Sequence, residues 1–385
     1  MKKLFQALAP FLAVLFCVSA LAQMPQPPEL AAPSYLLMDV TANQMLAGRE
    51  IDKPIEPASL TKLMTQYLVF DALRSKKIDL KQTLPVSKRA WKMPGSRMFI
   101  DPSMQVPVDD LIKGMIVQSG NDATMALAEG VGGTAEHFVE LMNQQAKALG
   151  MKSTTYKNPE GLTEAGHMTT ARDLSTLATR LMQDFPEDLH YYAIKKYRYE
   201  GTPTANDTNR NTLLFRDPTV DGLKTGHTDA AGYCLIATAK RDFPNLGSRR
   251  LLAIVLGEAS ENARANEAQK LLNWGYTAFE GIKLFDANQP VVTPEVWKGT
   301  QKTAKLGRPQ AVVVAVPSGT AGRVKTQVAR PDPLIAPLAK GQLVGTLKVS
   351  SGDQALLDVP LMVLEPVEQA GLLSRAWDAV RLWIK

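Results

Sequence analysis

The segment Pro57-Ala58-Ser59-Leu60-Thr61-Lys62-Leu63-Met64-Thr65 marks a change from a strand-like to a helical pattern. Before it, residues 34–46 hold two short apolar runs around a turn, which predicts two strands. After Ser59 the apolar residues recur at the spacing of one helix face: Leu60, Leu63, Met64, Tyr67 and Leu68. A helix that begins at Ser59 places the amine of Lys62 one turn from the serine hydroxyl.

The remainder of the first 285 residues contains further helical and strand-like patterns. Helices are predicted over Val108–Ile116, Ala123–Glu129, Ala135–Leu149, Ala171–Gln183 and 261–280. Strand patterns return over 212–240 and 249–257. Strands at both ends with helices between them predict an α+β domain over residues 23–285, in which helices cover a mixed sheet.

Short strand-like runs separated by glycine and proline fill the chain after residue 285. They are 291–292, 311–316, 323–328, 342–349 and 354–364. Because no clear helical pattern lies among them, we expect a small all-β domain over residues 286–366.

The first 22 residues have the pattern of a secretory signal peptide. Two lysines precede a largely apolar stretch, Leu4–Leu21, and Ala20–Ala22 supplies small residues at the cleavage positions. We expect cleavage before Gln23; the alternative is a retained membrane anchor. Cys234 would then be the one remaining cysteine, so an intrachain disulfide is excluded and stability must come from the core.

Residues 367–385 contain an amphipathic helical pattern. Its apolar residues fall on one helix face: Leu372, Leu373, Ala376, Trp377, Val380, Trp383 and Ile384. The segment is too short and too charged to span a bilayer. We therefore expect the helix to lie at the surface of a membrane, among the headgroups. The alternative is a helix packed on the protein's own core.

The composition excludes several functional classes. With 45% hydrophobic and 21% charged residues, the 385-residue chain is neither disordered nor a polytopic membrane protein. Its formal net charge of +6 is spread along the chain, with no basic run that alternates with aromatic residues, so no nucleic-acid partner is expected. Four dispersed histidines and two cysteines disfavour a metal cluster, and we predict no metal or cofactor.

Ser59 and Lys62 form the first candidate reactive pair. Serine is a weak nucleophile until a base takes its proton, and lysine is such a base only when burial or another cation lowers its pKa. The alternative is a helix-capping serine followed by a solvated lysine.

Ser119-Gly120-Asn121 is the second candidate motif. The hydroxyl of Ser119 could relay a proton, and the amide of Asn121 could bind a substrate carbonyl or hold the lysine. The alternative is an ordinary helix start, and the same pattern recurs at Ser260-Glu261-Asn262.

Lys224-Thr225-Gly226 is the third candidate motif and falls on a predicted strand. Gly226 would allow a substrate backbone to approach the strand edge. Lys224 would add a cation that binds a carboxylate and depresses the pKa of Lys62. The alternative is an exposed lysine on an edge strand beside a bulge glycine.

The three motifs together, in this order, resemble the signature set of penicillin-binding proteins and serine β-lactamases. The longer segments 57–65, 118–123 and 221–233 are similar to one subfamily, the low-molecular-mass penicillin-binding proteins that act as D-alanyl-D-alanine carboxypeptidases. This resemblance covers nearly the whole chain. It implies a penicillin-binding-protein-like catalytic domain, a trailing β domain and a terminal membrane-associating helix.

The resemblance also implies a role for each matching residue. Ser59 is the acylated nucleophile and Lys62 its base, while Ser119 and Asn121 relay protons and position the substrate. Lys224, Thr225 and Gly226 bind the end of the peptide. The oxyanion hole consists of the backbone N–H groups of Ser59 and His227.

The resemblance implies a substrate and a location as well. The substrate is a peptidoglycan stem peptide ending in D-Ala-D-Ala, and β-lactams acylate the same serine. The protein is expected in the periplasm, attached peripherally to the outer face of the cytoplasmic membrane. Arg250 resembles a family arginine near the substrate carboxylate, although the neighbouring Arg249 leaves the alignment open by one residue. The segment Asn209-Arg210-Asn211 also matches and is interpreted as structural support.

Three other functions share these motifs. A class A β-lactamase would carry a Glu-x-x-Leu-Asn segment, and Glu140-Leu141-Met142-Asn143 lacks the required spacing. A D,D-endopeptidase has the same motifs, but the trailing domain favours the carboxypeptidase. A penicillin-binding sensor or a wall-binding scaffold would not need all three motifs intact.

Overall fold

The structure is a computed structural model and describes residues 24–384 of the chain. The predicted signal peptide and its cleavage site lie outside the described residues. The helices are α1 (Lys62–Arg74), α2 (Lys88–Trp91), α3 (Val108–Val117), α4 (Asn121–Gly132), α5 (Ala135–Ala148), α6 (Ala171–Asp184), α7 (Leu213–Arg216), α8 (Glu261–Ala278) and α9 (Leu372–Ile384). The strands are β1 (Ser34–Asp39), β2 (Gln44–Arg49), β3 (Thr83–Pro85), β4 (Gln105–Pro107), β5 (Val220–Thr228), β6 (Gly232–Phe243), β7 (Gly247–Glu258), β8 (Phe279–Phe285), β9 (Pro290–Val292), β10 (Val296–Trp297), β11 (Leu306–Gly307), β12 (Val312–Pro317), β13 (Val324–Ala329), β14 (Leu334–Ile335), β15 (Leu343–Ser351) and β16 (Gln354–Val363).

A five-stranded sheet in the order β2-β1-β7-β6-β5 organises the first part of the chain. Successive residues of its central strands point to opposite faces, as strand geometry requires. Ile236 and Ile254 face the core formed with the helical segment between β2 and β5. Leu235 and Val255 face the core formed with α8. The sheet is therefore covered by helices on both sides, and β5 stands at its edge.

The fold class is confirmed, with two differences inside it. The expected mixed sheet is antiparallel at every strand pair. Tight turns connect β5 to β6 and β6 to β7, and such turns require antiparallel neighbours. The predicted strand over 212–240 starts later, because Leu213–Arg216 forms the short helix α7 and β5 begins only at Val220.

An all-β unit follows the sheet. Its largest sheet has the strand order β13-β15-β16-β11-β9, and its core contains Leu306, Leu347 and Leu361. Strand β8, which the predicted division assigns to the first domain, pairs with β12 of this unit. The two parts are also joined by a hydrogen bond of 2.7 Å from the Ala315 amide to Gln44 Oε1.

Helix α9 presents its apolar face to solvent. Leu373 is 90% exposed and Trp383 is 89% exposed. The polar side of the helix contacts the β unit instead: Asp378 accepts a hydrogen bond of 2.7 Å from the Lys298 amide, and the Arg381 guanidinium lies over the Trp297 ring. The alternative of a helix packed on the core through its apolar face is therefore wrong. Within residues 24–384, no helix combines the length and apolar character needed to cross a bilayer.

Candidate active site

Three segments far apart in the sequence meet at one cleft. A 3-10 helix, Ala58–Thr61, carries Ser59 and continues directly into α1, which begins at Lys62. The turn between α3 and α4 carries Ser119, and β5 carries Lys224. The cleft has a volume of about 410 Å³. Its lining residues are Ser59, Gly95, Ser96, Arg97, Asn121, Glu160, Gly161, Leu162, Asn206, Arg210, His227 and Thr228.

The amine of Lys62 is held by three oxygen atoms. Its Nζ lies 3.0 Å from Ser59 Oγ, 2.7 Å from Asn121 Oδ1 and 2.7 Å from the carbonyl oxygen of Glu160. A neutral amine has two N–H donors and one lone pair. The two acceptors at 2.7 Å can take both donors, which leaves the lone pair directed at the Ser59 hydroxyl.

Burial changes the protonation of Lys62. The side chain is completely buried, and loss of hydration lowers its pKa to about 7. The negative charges of Glu160 and Asp122 oppose this decrease, while the positive charge of Arg210 adds to it. Lys62 is therefore largely neutral just above neutral pH, and a neutral amine is able to accept the serine proton.

A second buried lysine lies beside Ser119. Lys224 Nζ donates to Ser119 Oγ at 2.9 Å and to the Thr225 carbonyl oxygen at 2.8 Å. Burial, followed by the positive charge of Lys62, lowers the pKa of Lys224 well below its ordinary value. A hydroxyl bonded to an amine whose pKa is so depressed is suited to proton relay.

Close backbone contacts fix Ser59 in place. Gly161 has φ +89°, and a Cβ there would lie 1.8 Å from the Ala58 carbonyl oxygen. A Cβ at Gly226 would lie 3.2 Å from the Pro57 carbonyl oxygen. Both glycines thus allow neighbouring backbone to pack against the 3-10 helix. This packing is a second reason for glycine at position 226, and its role in admitting a substrate backbone stays a prediction.

The edge of β5 forms the opposite wall of the cleft. Thr225 pairs with Leu235, and the exposed imidazole of His227 stacks on the Tyr233 ring at a centroid distance of 3.9 Å. Arg264, buried beneath, donates to the Gly226 carbonyl oxygen at 3.2 Å. These contacts hold the end of β5 next to Ser59.

Arg250 lies away from the cleft, which corrects its expected position. It stands opposite Lys240 on β6, whereas Lys224 stands opposite Ile236, four residues nearer the cleft. Four residues of strand span about 13 Å. The guanidinium of Arg250 is bound by the Asp221 carboxylate through two hydrogen bonds of 2.7 Å.

Arg249 does not replace Arg250 in the cleft. It is buried on the other face of β7 and pairs with Asp39 at 2.7 Å. Arg210 does line the cleft, together with Arg97, and its Nε donates to the Gln118 carbonyl oxygen at 3.2 Å. The neighbouring asparagines do act as structural support, because Asn209 bonds the Ile194 carbonyl oxygen and Asn211 that of Gly222.

Sequence reasoning did not identify Arg97 and Glu160 as cleft residues. Arg97 lies 3.6 Å from the buried Asp122, whose carboxylate accepts hydrogen bonds from the amides of Met98 and Phe99. This pairing orders the segment that forms one cleft wall. Neither residue belongs to the three motifs, so only the folded arrangement reveals them. The described residues form no cluster of histidine, cysteine and acidic side chains that could hold a metal ion.

Two protein-family models match this chain. Residues 21–260 match the peptidase S11 family, described as D-alanyl-D-alanine carboxypeptidase. The chain belongs to the D-alanyl-D-alanine carboxypeptidase family. Residues 279–369 match the C-terminal domain of penicillin-binding protein 5, and this match includes strand β8.

Relatives within the carboxypeptidase family extend over nearly the whole chain. The D-alanyl-D-alanine carboxypeptidase DacC of Escherichia coli is 40% identical over 96% of this chain and 92% of its own length. The structure of penicillin-binding protein 5 from Haemophilus influenzae is 35% identical, with a TM-score of 0.82 over 90% of this chain and 100% of that one. Penicillin-binding protein D2 of Listeria monocytogenes, solved in an ampicillin-bound form, is 31% identical, with a TM-score of 0.58 over 65% of this chain and all of its own.

Proposed function

We propose that this protein is a serine-type carboxypeptidase that removes the terminal D-alanine from peptidoglycan stem peptides ending in D-Ala-D-Ala. The observation that carries the proposal is the 3.0 Å contact between Ser59 Oγ and the buried amine of Lys62, at a cleft in a chain of this family. Relatives named as carboxypeptidases match both the catalytic part and the β part, which favours this activity over the endopeptidase and β-lactamase alternatives.

Ser59 carries the reaction in this proposal. Its oxygen attacks the carbonyl carbon of the penultimate D-alanine, and its proton passes to Lys62 Nζ. The amide bond then breaks, the proton goes to the nitrogen of the departing D-alanine, and an ester remains on Ser59. Water hydrolyses the ester and releases the shortened peptide.

The other cleft residues bind and stabilise the substrate. Asn121 holds Lys62 through its oxygen, and its Nδ2 is bound to the Pro94 carbonyl oxygen. Lys224, Thr225 and Arg210 supply the donors for the terminal carboxylate. The backbone N–H groups of Ser59 and His227 stabilise the oxyanion, and losing one such donor typically costs ~3 kcal/mol of transition-state stabilisation.

The test is D-alanine release from a synthetic pentapeptide ending in D-Ala-D-Ala, followed by intact-protein mass spectrometry with benzylpenicillin. A carboxypeptidase releases one D-alanine per peptide in the first experiment. In the second experiment its mass increases by that of one penicillin. A protein that takes up penicillin but releases no D-alanine would be a sensor, and the proposed activity would be refuted. A cross-linked muropeptide dimer as a second substrate separates carboxypeptidase from endopeptidase activity.

The acylation rate is expected to rise with pH and to level off above about 7. Burial lowers the pKa of Lys62 to about 7, and only the neutral amine accepts the serine proton. Below that pKa, the rate constant should fall about tenfold per pH unit. Stopped-flow measurement with a fluorescent penicillin between pH 5 and 9 checks this. A rate that is flat across the range would contradict the assignment of Lys62 as the base.

We also propose that the protein is exported and attached to a membrane surface through α9. The exposed face of Leu373, Trp377 and Trp383 has no partner among the described residues, while Asp378 and Arg381 face the β unit. This orientation supports insertion of the apolar face among lipid headgroups. The leader-like pattern of residues 1–22 supports the periplasm as the location.

For the two-domain division, the β8–β12 pairing supports a boundary before Phe279 rather than after residue 285.

Deleting residues 372–385 should release the enzyme from membranes without reducing its activity. The deleted helix has no buried residue, so its loss leaves the core intact. Sedimentation with vesicles of phosphatidylethanolamine and phosphatidylglycerol should leave the truncated form in the supernatant and the full form in the pellet. A truncated protein that still sediments would exclude α9 as the anchor.

A further inference from the structure

The side chain of Glu160 has no function in the mechanism above, although it lines the same cleft as Ser59. Its carbonyl oxygen binds Lys62, and the residue as a whole is only 4% exposed. The Oε2 atom is buried and has no hydrogen-bond partner in the part of the chain that the structure describes. A buried carboxylate oxygen without a donor is unfavourable, and native structures contain few of them.

Asp122 shows what a structural carboxylate looks like in this cleft wall. It is completely buried, and its two oxygens accept hydrogen bonds from the amides of Met98, Phe99 and Ile100. Glu160 has no such set of donors. Glu160 thus lines the cleft with one carboxylate oxygen unpartnered, and the smallest donor able to reach that oxygen during turnover is water.

The loop around Glu160 is held firmly. Asn158 Oδ1 accepts hydrogen bonds from the amides of Gly161 and Leu162, and Thr65 Oγ1 donates to the Pro159 carbonyl oxygen at 2.7 Å. The close packing of Gly161 on Ala58 ties the same loop to the helix that carries Ser59. The backbone that carries Glu160 is thus fixed relative to the nucleophile, which favours the positioning that catalytic groups require.

The charges around Glu160 suit a proton acceptor. Burial raises the pKa of Glu160, while the positive charge of Lys62, a hydrogen bond from its own backbone amide and the positive charge of Arg89 lower it, in that order; Glu164 raises it slightly. A carboxylate whose pKa is raised accepts a proton more readily than an exposed one. Lys62 and Glu160 influence each other, so a proton on one disfavours a proton on the other.

We propose that Glu160 accepts the proton of the water that hydrolyses the ester on Ser59. This rests on the proposed function, because the ester is its intermediate. The water oxygen forms a bond to the ester carbonyl carbon, and its proton moves to Glu160 Oε2. The carbon–oxygen bond to Ser59 then breaks, and the proton passes from Glu160 through Lys62 to the serine oxygen. The products are the free peptide carboxyl group and a regenerated Ser59 hydroxyl.

The test separates the two half-reactions in the Glu160→Gln variant of the full chain. Glutamine keeps the size of the side chain but cannot accept the water proton. With a fluorescent penicillin, we expect an acylation rate within about threefold of the wild type and release of the label slowed on the order of 100-fold. Glu187→Gln, at an exposed position outside this loop, is the matched control and should leave both rates unchanged.

Hydroxylamine supplies a second measurement that a purely structural role would not affect. It is a strong nucleophile that needs less help from a base, so it should release the acyl group from wild type and E160Q at similar rates. Equal release by water in E160Q and wild type would overturn the proposal, as would an equal loss in acylation and release. Failure of wild-type protein to form the acyl-enzyme would instead refute the proposed function.

Discussion

Replacing Ser59 by alanine is expected to abolish both D-alanine release and the covalent uptake of penicillin. The oxygen 3.0 Å from Lys62 Nζ is the one that the mechanism joins to the substrate carbonyl, and no ester can form without it. Removal of a nucleophile lowers turnover by ~10⁴-fold or more, since binding and oxyanion stabilisation alone supply only residual catalysis. A D-alanine assay and intact-protein mass spectrometry measure the two losses separately.

The matched control for this variant is Ser103→Ala. Ser103 is exposed, and its hydroxyl bonds only the neighbouring Asp101, so this substitution should leave turnover and penicillin uptake unchanged. The Ser59→Ala protein should still bind penicillin reversibly, because the carboxylate-binding donors remain. If the variant gained the mass of penicillin, another residue would be the nucleophile and the assignment of Ser59 would be wrong.

Replacing Asp39 by alanine is expected to lower the free energy of unfolding by about 3–5 kcal/mol. Asp39 and Arg249 form a completely buried ion pair, with 2.7 Å between Asp39 Oδ2 and Arg249 Nε. After the substitution the buried guanidinium keeps the Phe279 carbonyl oxygen and the Tyr276 ring beside it but has no carboxylate partner among the described residues. Thermal unfolding should show a decrease in Tm on the order of 10 °C.

The exposed pair of Asp52 and Arg172 is the control for this prediction. Its side chains are 65% and 51% exposed, and its closest oxygen–nitrogen distance is 2.6 Å. Exposed pairs contribute at most about 1 kcal/mol because water and salt screen them. Asp52→Ala should therefore shift Tm by no more than a few degrees. If the two variants were equally stable, burial of the Asp39 pair would not control the stability of the sheet.

Local patterns in the sequence predicted most helices within a few residues. Helix α6 shows why, because its Thr170 cap accepts a hydrogen bond from the Asp173 amide and its apolar residues recur on one face. The cluster of Ser59, Lys62 and Lys224 was expected from the combination of motifs. Spacing alone was insufficient: Ser260 has the same Ser-x-Asn pattern as Ser119, yet it caps α8.

Features that depend on tertiary contacts were not predictable in this way. Short apolar runs such as residues 213–216 fit a strand or a helix equally well. In the folded protein this run forms the helix α7 and buries Leu213 and Leu214. Arg250 and Arg210 are both preceded by polar neighbours. The strand register places Arg250 away from the cleft, and the folded path of the segment before α7 brings Arg210 to it. Glu160 was identified by its burial and by an oxygen without a hydrogen-bond partner among the described residues. The sequence alone shows neither property.

The position of β5 at the margin of its sheet affects how broadly the protein can accept ligands. Within residues 24–384 its sole strand partner is β6, so its outer edge carries no paired strand. An extended peptide can align there through its own amide groups, which are the same for every residue type. The protein would then select its ligands by the two D-configured methyl groups and the free carboxylate. Residues farther along the stem peptide could vary without a loss of binding.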